Sequence, residues 1–282
     1  MSTLQAGSVT RPGFLSVLRH ELVAVCVILG FTNGIAETVQ NLIASEGLKA
    51  ALVESLGLSV IVWIALCVGI NLILQGRREA ATLFDLVVAG ISIACLLAPS
   101  SKLSWLVLAA FSAIEWFRSR PKTAERAGAL IILALTVPVF WGKVLFSAFS
   151  EPLLEMDASI VGGLVGMPHV GNAIKMPGQA GELWIAAGCS SFANVSLTFL
   201  WWAVLAPFSR AKGIFRPLAT CLLACVCVSA LNLARISLMA LQPEHYEVLH
   251  GPIGAALANW LTTGVIIVLG IVGMRVDLFS RR

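Results

Sequence analysis

Long apolar runs, several of 18 residues or more, alternate along this chain with short loops in which Lys and Arg collect. Nothing constrains the fold more. A backbone surrounded by hydrocarbon must pair its own N–H and C=O groups, which leaves helices or closed barrels. Runs of about 20 apolar residues have the length of a membrane-spanning helix. Eight segments follow, at roughly 21–39, 51–74, 82–99, 102–117, 127–147, 184–207, 216–241 and 253–274. The first is the weakest, because Asn33, Glu37 and Thr38 fall in its second half. No internal repeat stands out and no linker is long enough to divide the chain. Residues 1–282 therefore read as one all-α, polytopic membrane bundle of about eight transmembrane helices. Only 12% of the residues are charged, about half the share in a soluble domain.

The basic residues set the orientation. Arg11 and Arg19 precede the first segment, Arg77 and Arg78 follow the second, and Arg118, Arg120, Lys122 and Arg126 lie between the fourth and fifth. Arg210, Lys212 and Arg216 separate the sixth from the seventh, and Arg275, Arg281 and Arg282 follow the eighth. These alternate loops belong to the cytoplasmic side, so both termini are cytoplasmic, residues 1–20 forming a short N-terminal segment there. The net charge of +4 is thus a topology signal, and a nucleic-acid surface is improbable. The start of the chain lacks the apolar core and small-residue end of a signal peptide. The expected location is the cell (inner) membrane, as a multi-pass protein.

Two stretches face outward: 148–183, with Glu151, Glu155, Asp157, His169, Lys175 and Glu182, and the shorter QPEHYEVLHGP at 242–252. Three of the four histidines lie in them. The polar, reactive inventory is therefore extracytoplasmic.

Arg235 is the most informative residue. It lies well inside the seventh segment, in CVCVSALNLARISLMAL, where an arginine costs about 2.5–3.5 kcal/mol on insertion scales. Snorkelling to the interface is the bland explanation. Asn232, one turn earlier on the same helix face, favours a polar pair aimed at other helices. Arg235 falls six residues before Leu241, about 9 Å from the helix end. Cys189 falls five residues after Trp184, where the sixth segment enters from the same side, in GELWIAAGCSSFANVSL, about 8 Å in. His250 follows in the short outer loop. Cys, Arg and His thus converge at one membrane face from three consecutive segments.

That set has a chemical logic. A thiol becomes a strong nucleophile as thiolate, which a helix N-terminus and a nearby cation favour. A histidine can take the thiol proton and return it to a leaving amine. A guanidinium can hold the oxyanion of a tetrahedral intermediate. The reaction expected is acyl transfer through a thioester. Ser190, Ser191, Asn232 and His245 are possible supporting residues, with His245 and the more remote His169 competing with His250. Tyr246, the single tyrosine, reads as an interfacial anchor. Cys26, Cys67, Cys95, Cys221, Cys225 and Cys227 read as small apolar fillers. Cys221 and Cys225 are one turn apart, but nothing nearby completes a metal site. No metal or organic cofactor is implied.

AAGCSSF around Cys189, NLARI around Arg235 and LHGPIG around His250, in this order and spacing, resemble the exosortase and archaeosortase family of membrane transpeptidases. The resemblance covers about 140–270, with 184–270 as the catalytic helices, and the first four segments are generic. It implies a membrane cysteine protease or transpeptidase that cleaves C-terminal sorting signals of exported proteins on the extracytoplasmic side. Its partners would be substrate proteins that carry a short motif, a transmembrane helix and a basic tail, together with membrane lipid. Cys189 would be the nucleophile, Arg235 the stabiliser and His250 the proton shuttle. Many exosortases have Cys-Ser-Gly at the nucleophile, whereas here Ser191 replaces that Gly. Two other classes remain open: a transporter or permease that binds an anionic solute at Arg235, and a non-catalytic partner of polysaccharide export. The first should show repeats and broken helices, and the second leaves Cys189 without a role.

Overall fold

The computed structural model describes residues 17–53, 55–176, 181–211, 213 and 215–276. Arg11, Lys212, Arg281 and Arg282, counted among the basic loop residues, lie outside the described residues, as does 177–180 of the expected outer loop.

The helices are, in chain order, α1 Arg19–Val53, α2 Val60–Leu74, α3 Leu83–Leu96, α4 Ser101–Arg118, α5 Ala124–Thr136, α6 Gly142–Val165, α7 Phe192–Leu205, α8 Phe215–Leu241, α9 Tyr246–His250 and α10 Pro252–Gly273. Among the described residues, four stretches are long and apolar enough to cross a membrane: Arg19–Lys49, Ala124–Val165, Phe215–Leu241 and Pro252–Gly273. Val60–Leu74, Leu83–Leu96 and Phe192–Phe208 are shorter apolar helices. The chain is therefore a helical bundle of membrane-spanning character.

The starts of the helices follow from the sequence. Ser59, Thr82, Ser100 and Thr123 each accept a backbone N–H in the first turn of α2, α3, α4 and α5, the usual role of a hydroxyl at that position. Thr82 and Asp85 complete a reciprocal capping box. One of the polar residues that weaken the first segment has a clear partner. Asn33 donates to the carbonyls of Leu96 and Ala98, at 2.9 and 3.0 Å, where α3 ends.

Three features differ from the sequence reading. First, the bundle is not wholly helical: β1 (His169–Val170), β2 (Ala173–Lys175) and β3 (Glu182–Trp184) form a small antiparallel sheet in that order. Second, the stretch 148–183 is not a loop over its first half, because α6 runs to Val165. Glu151, Glu155 and Asp157, expected in a loop, lie on this helix. Pro152 bends the helix, at Phe149 (φ −125°, ψ 21°), without ending it. Third, the stretch from Trp184 to Ser191 is not the first turns of a helix. Glu182 and Trp184 are exposed, Leu183 and Ile185 buried, the period-two alternation of a strand. A 3₁₀ turn, Ala187–Cys189, follows, and α7 starts only at Phe192.

α5 and α6 are joined through a π-turn, Val137–Trp141, which contains Pro138. The Gly142 N–H reaches back five residues to the Val137 carbonyl. Together they make a bent rod of 42 residues, about 63 Å at 1.5 Å per residue.

α1 to α5 pack as one group, and α7 ties α2 and α5 to α8 and α10. The larger core draws on both groups, with Ile61, Ile73, Leu108, Ile131, Ile132, Leu200 and Val228 at its centre. α2 and α5 cross closely. A Cβ on Gly128 would lie 2.6 Å from the Gly69 carbonyl oxygen, so only glycine fits there. A second core lies under the small sheet and joins Ala158 and Val161 of α6, Ile174, Leu183 and Ile185 to Ile236, Met239 and Ala240 of α8.

A buried ion network holds the end of the bundle where α1, α3 and α5 begin and α4 ends. Arg19 pairs with Asp85 (3.3 Å), Glu115 (2.6 Å) and Glu125 (2.9 Å). Arg118 adds contacts to Asp85 (2.5 Å) and Glu115 (3.6 Å). Asp85 and Glu115 side chains are each only 3% exposed. Arg19 and Arg118 are thus internal fasteners as well as members of basic clusters. Removal of one partner from such a network leaves buried charge uncompensated, at a cost of about 3–5 kcal/mol. Arg19→Ala is therefore expected to lower the thermal midpoint in detergent by several degrees. An unchanged midpoint would show that water reaches the three carboxylates.

Candidate active site around Cys189

α8 is the element that organises the site. Its apolar sequence drives it into the bundle, yet it carries Asn232 and Arg235 near the end at Leu241. Both side chains are partly buried, and both find protein partners. Asn232 donates its amide to the Cys189 carbonyl (2.6 Å) and to Ser191 Oγ (3.2 Å). Arg235 donates Nε and Nη2 to the Leu249 carbonyl, at 3.1 and 2.9 Å. One helix turn therefore holds both the turn that carries the cysteine and the residue before His250.

The partners on either side are segments outside regular ladders. Cys189 closes the 3₁₀ turn and is half-buried beside the exposed Ala187 and Gly188. Ser190 and Ser191 behind it are buried. His250 ends α9, is exposed, and stacks on Tyr246 with ring centroids 4.9 Å apart and planes at 14°. Tyr246 thus braces His250, a role its reading as an anchor missed. The glycines of LHGPIG allow the fold-back. A Cβ on Gly254 would lie 2.5 Å from the Leu249 carbonyl oxygen, the same atom that Arg235 holds.

The sequence set is therefore only partly drawn together. Cys189, Ser191, Asn232, Arg235 and the backbone next to His250 are linked through α8. His245 is not: it sits on an exposed 3₁₀ turn, 3.5 Å from Glu244. His169 lies on β1 against Gly162 of α6. The expected benefit of a helix N-terminus to Cys189 needs correction, since α7 begins three residues later.

Sequence reasoning missed Asp157. It was counted among loop acids, but it is buried on α6, and its Oδ2 accepts the Ser191 backbone N–H at 3.3 Å. A signal existed. Leu154, Asp157, Ala158, Val161 and Val165 follow the 3-4 spacing of one helix face, and Asp157 falls in the middle of it.

Chemically, the arrangement offers an accessible thiol, an exposed imidazole and a guanidinium with N–H groups beyond the two already used. These are the ingredients of nucleophilic acyl transfer. Among the described residues no group of three or more His, Cys, Asp or Glu is placed to hold a metal ion. No protein-family model, curated protein or solved structure matches the chain.

Gly254→Ala is expected to push the Leu249 carbonyl away from Arg235. Backbone amides of 246–254 should then exchange with deuterium about tenfold faster, with those of α2 and α5 unchanged. Equal protection in both proteins would show that α9 absorbs the extra methyl and that the carbonyl clamp is not tight.

Proposed function

We propose that this protein is a membrane-embedded cysteine protease or transpeptidase of the exosortase kind. Its substrates are exported proteins with a C-terminal motif, a transmembrane helix and a basic tail. The observation that carries the reading is the single turn of α8, where Asn232 holds the Cys189 carbonyl and Arg235 the carbonyl before His250. Three motifs from separate parts of the chain are tied together by two side chains that a purely structural helix has no need for.

In this reading His250 takes the Cys189 proton, and the thiolate attacks the scissile carbonyl. The free guanidinium N–H groups of Arg235 hold the oxyanion. The amine leaves with the proton from His250, and the thioester then passes to water or to an acceptor. The topology that goes with it has eight crossings: α1, α2, α3, α4, the α5–α6 rod, α7, α8 and α10. Both termini are cytoplasmic and Cys189 faces the extracytoplasmic side. Three of these helices, α2, α3 and α7, have 15, 14 and 14 residues, about 21–23 Å. That is short of the roughly 30 Å hydrocarbon core, so the bilayer thins around them.

Cys189→Ala and Cys189→Ser are expected to reduce processing of a tail-anchored substrate by on the order of 10³-fold while the protein still inserts. Full processing by either variant ends the proposal. Arg235→Lys is expected to lose on the order of 10²-fold, because an ammonium lacks the planar fork. Wild-type turnover by that variant removes the oxyanion role. Without a known substrate, alkylation by iodoacetamide gives a first answer. Of the seven cysteines, Cys189 should react fastest, and His250→Ala should slow it.

A further inference from the structure

The turn that carries Cys189 is gripped from two sides. α8 holds it through Asn232, at the Cys189 carbonyl and the Ser191 hydroxyl. α6 holds it through Asp157. Asp157 is 3% exposed, and its carboxylate accepts the Ser191 N–H at 3.3 Å. Ser190 Oγ accepts the Phe192 N–H at 3.3 Å.

α7 explains why an acceptor belongs there. Its first residue is Phe192, and the Ser191 side chain before it makes no capping hydrogen bond. The amides at that end lack partners within the helix. Asp157 supplies the missing acceptor from a neighbouring helix. The amide it takes is two residues beyond Cys189, and the carbonyl that Asn232 takes is that of Cys189 itself. Between these two anchors little backbone freedom remains at 189–191. The cysteine is thereby fixed in direction without a helix of its own.

We infer that Asp157 is a positioning residue for Cys189, which acts with Asn232 to clamp the 189–191 turn between α6 and α8. The inference rests on the reading of Cys189 as a nucleophile. It assigns to Asp157 no contact with substrate and no proton transfer. The role is that of a hydrogen-bond acceptor, so shape and acceptor matter and charge does not. Asparagine can present the same acceptor oxygen to the Ser191 N–H, whereas alanine cannot.

The test uses the full chain in detergent and follows alkylation of individual cysteines by iodoacetamide with mass spectrometry. Cys67, exposed on α2, is the internal reference. Asp157→Ala is expected to slow Cys189 about tenfold and leave Cys67 unchanged. Asp157→Asn is expected to stay within about threefold of wild type at Cys189. The double variant Asp157→Ala with Asn232→Ala should slow Cys189 by less than the product of the single effects, since both hold one turn. If Asp157→Ala keeps the wild-type rate at Cys189, the positioning role is wrong while the nucleophile reading stands. If folded Asp157→Asn loses tenfold or more, charge rather than position is at work, and the inference falls even where Asp157→Ala does not insert. If wild-type Cys189 reacts no faster than Cys67 and is indifferent to His250→Ala, the nucleophile reading itself fails and takes the inference with it.

Discussion

Two polar side chains in an apolar helix have to find partners, and the site is built from the partners they find. Asn232 and Arg235 on α8 have little water to turn to. The groups that accept them are carbonyls which regular structure leaves over: Cys189, at the close of a 3₁₀ turn, and Leu249, in the last turn of the short α9. A buried donor left unpaired costs more than a hydrogen bond contributes. The penalty therefore acts as a constraint. α8 cannot settle in its place unless both irregular segments settle against it.

The opposite end of the same bundle obeys this logic with full charges. Arg19 and Arg118 meet Asp85, Glu115 and Glu125, and the starts or ends of four helices are drawn to one point. Between the two polar ends the helices meet through apolar side chains and through glycine, as where α2 and α5 touch at Gly69 and Gly128. Burial falls off towards the far side. In α1, 44% of the most apolar stretch is buried, against 22% in α8 and 17% in α10. α8 and α10 are thus the least covered of these long helices, while the stretch containing α6 is 39% buried.

The sequence was most legible where hydropathy alone decides. The seventh and eighth apolar segments, expected at 216–241 and 253–274, coincide with α8 and α10 to within a residue at each end. That Arg235 and Asn232 pair with other parts of the protein was legible as well, since polar groups in an apolar run need partners. The approach to Cys189 was not. An apolar run from Trp184 onward looks continuous to a hydropathy window, which cannot separate a buried strand from a helix. The alternation of Glu182, Leu183, Trp184 and Ile185 held the answer in too few residues to outweigh it. α6 was obscured for a different reason. Pro152 and its acidic neighbours resemble a loop by composition, and only tertiary packing reveals that the helix passes through them. Asp157 was hidden with it, because its meaning depends on Ser191, 34 residues away.

The π-turn between α5 and α6 has a consequence for phase. Its carbonyl-to-amide reach of five residues, from Val137 to Gly142, inserts an extra residue into the helical count. Each residue of an α-helix turns the next by about 100°. Everything beyond Trp141 is thus rotated by roughly that amount about the rod axis relative to an unbroken helix. The direction in which α6 presents Asp157 is consequently set in part about five turns earlier, ahead of the bend at Phe149. A single-residue deletion at Pro138 would leave every side chain of the site intact in sequence and swing the carboxylate to another face.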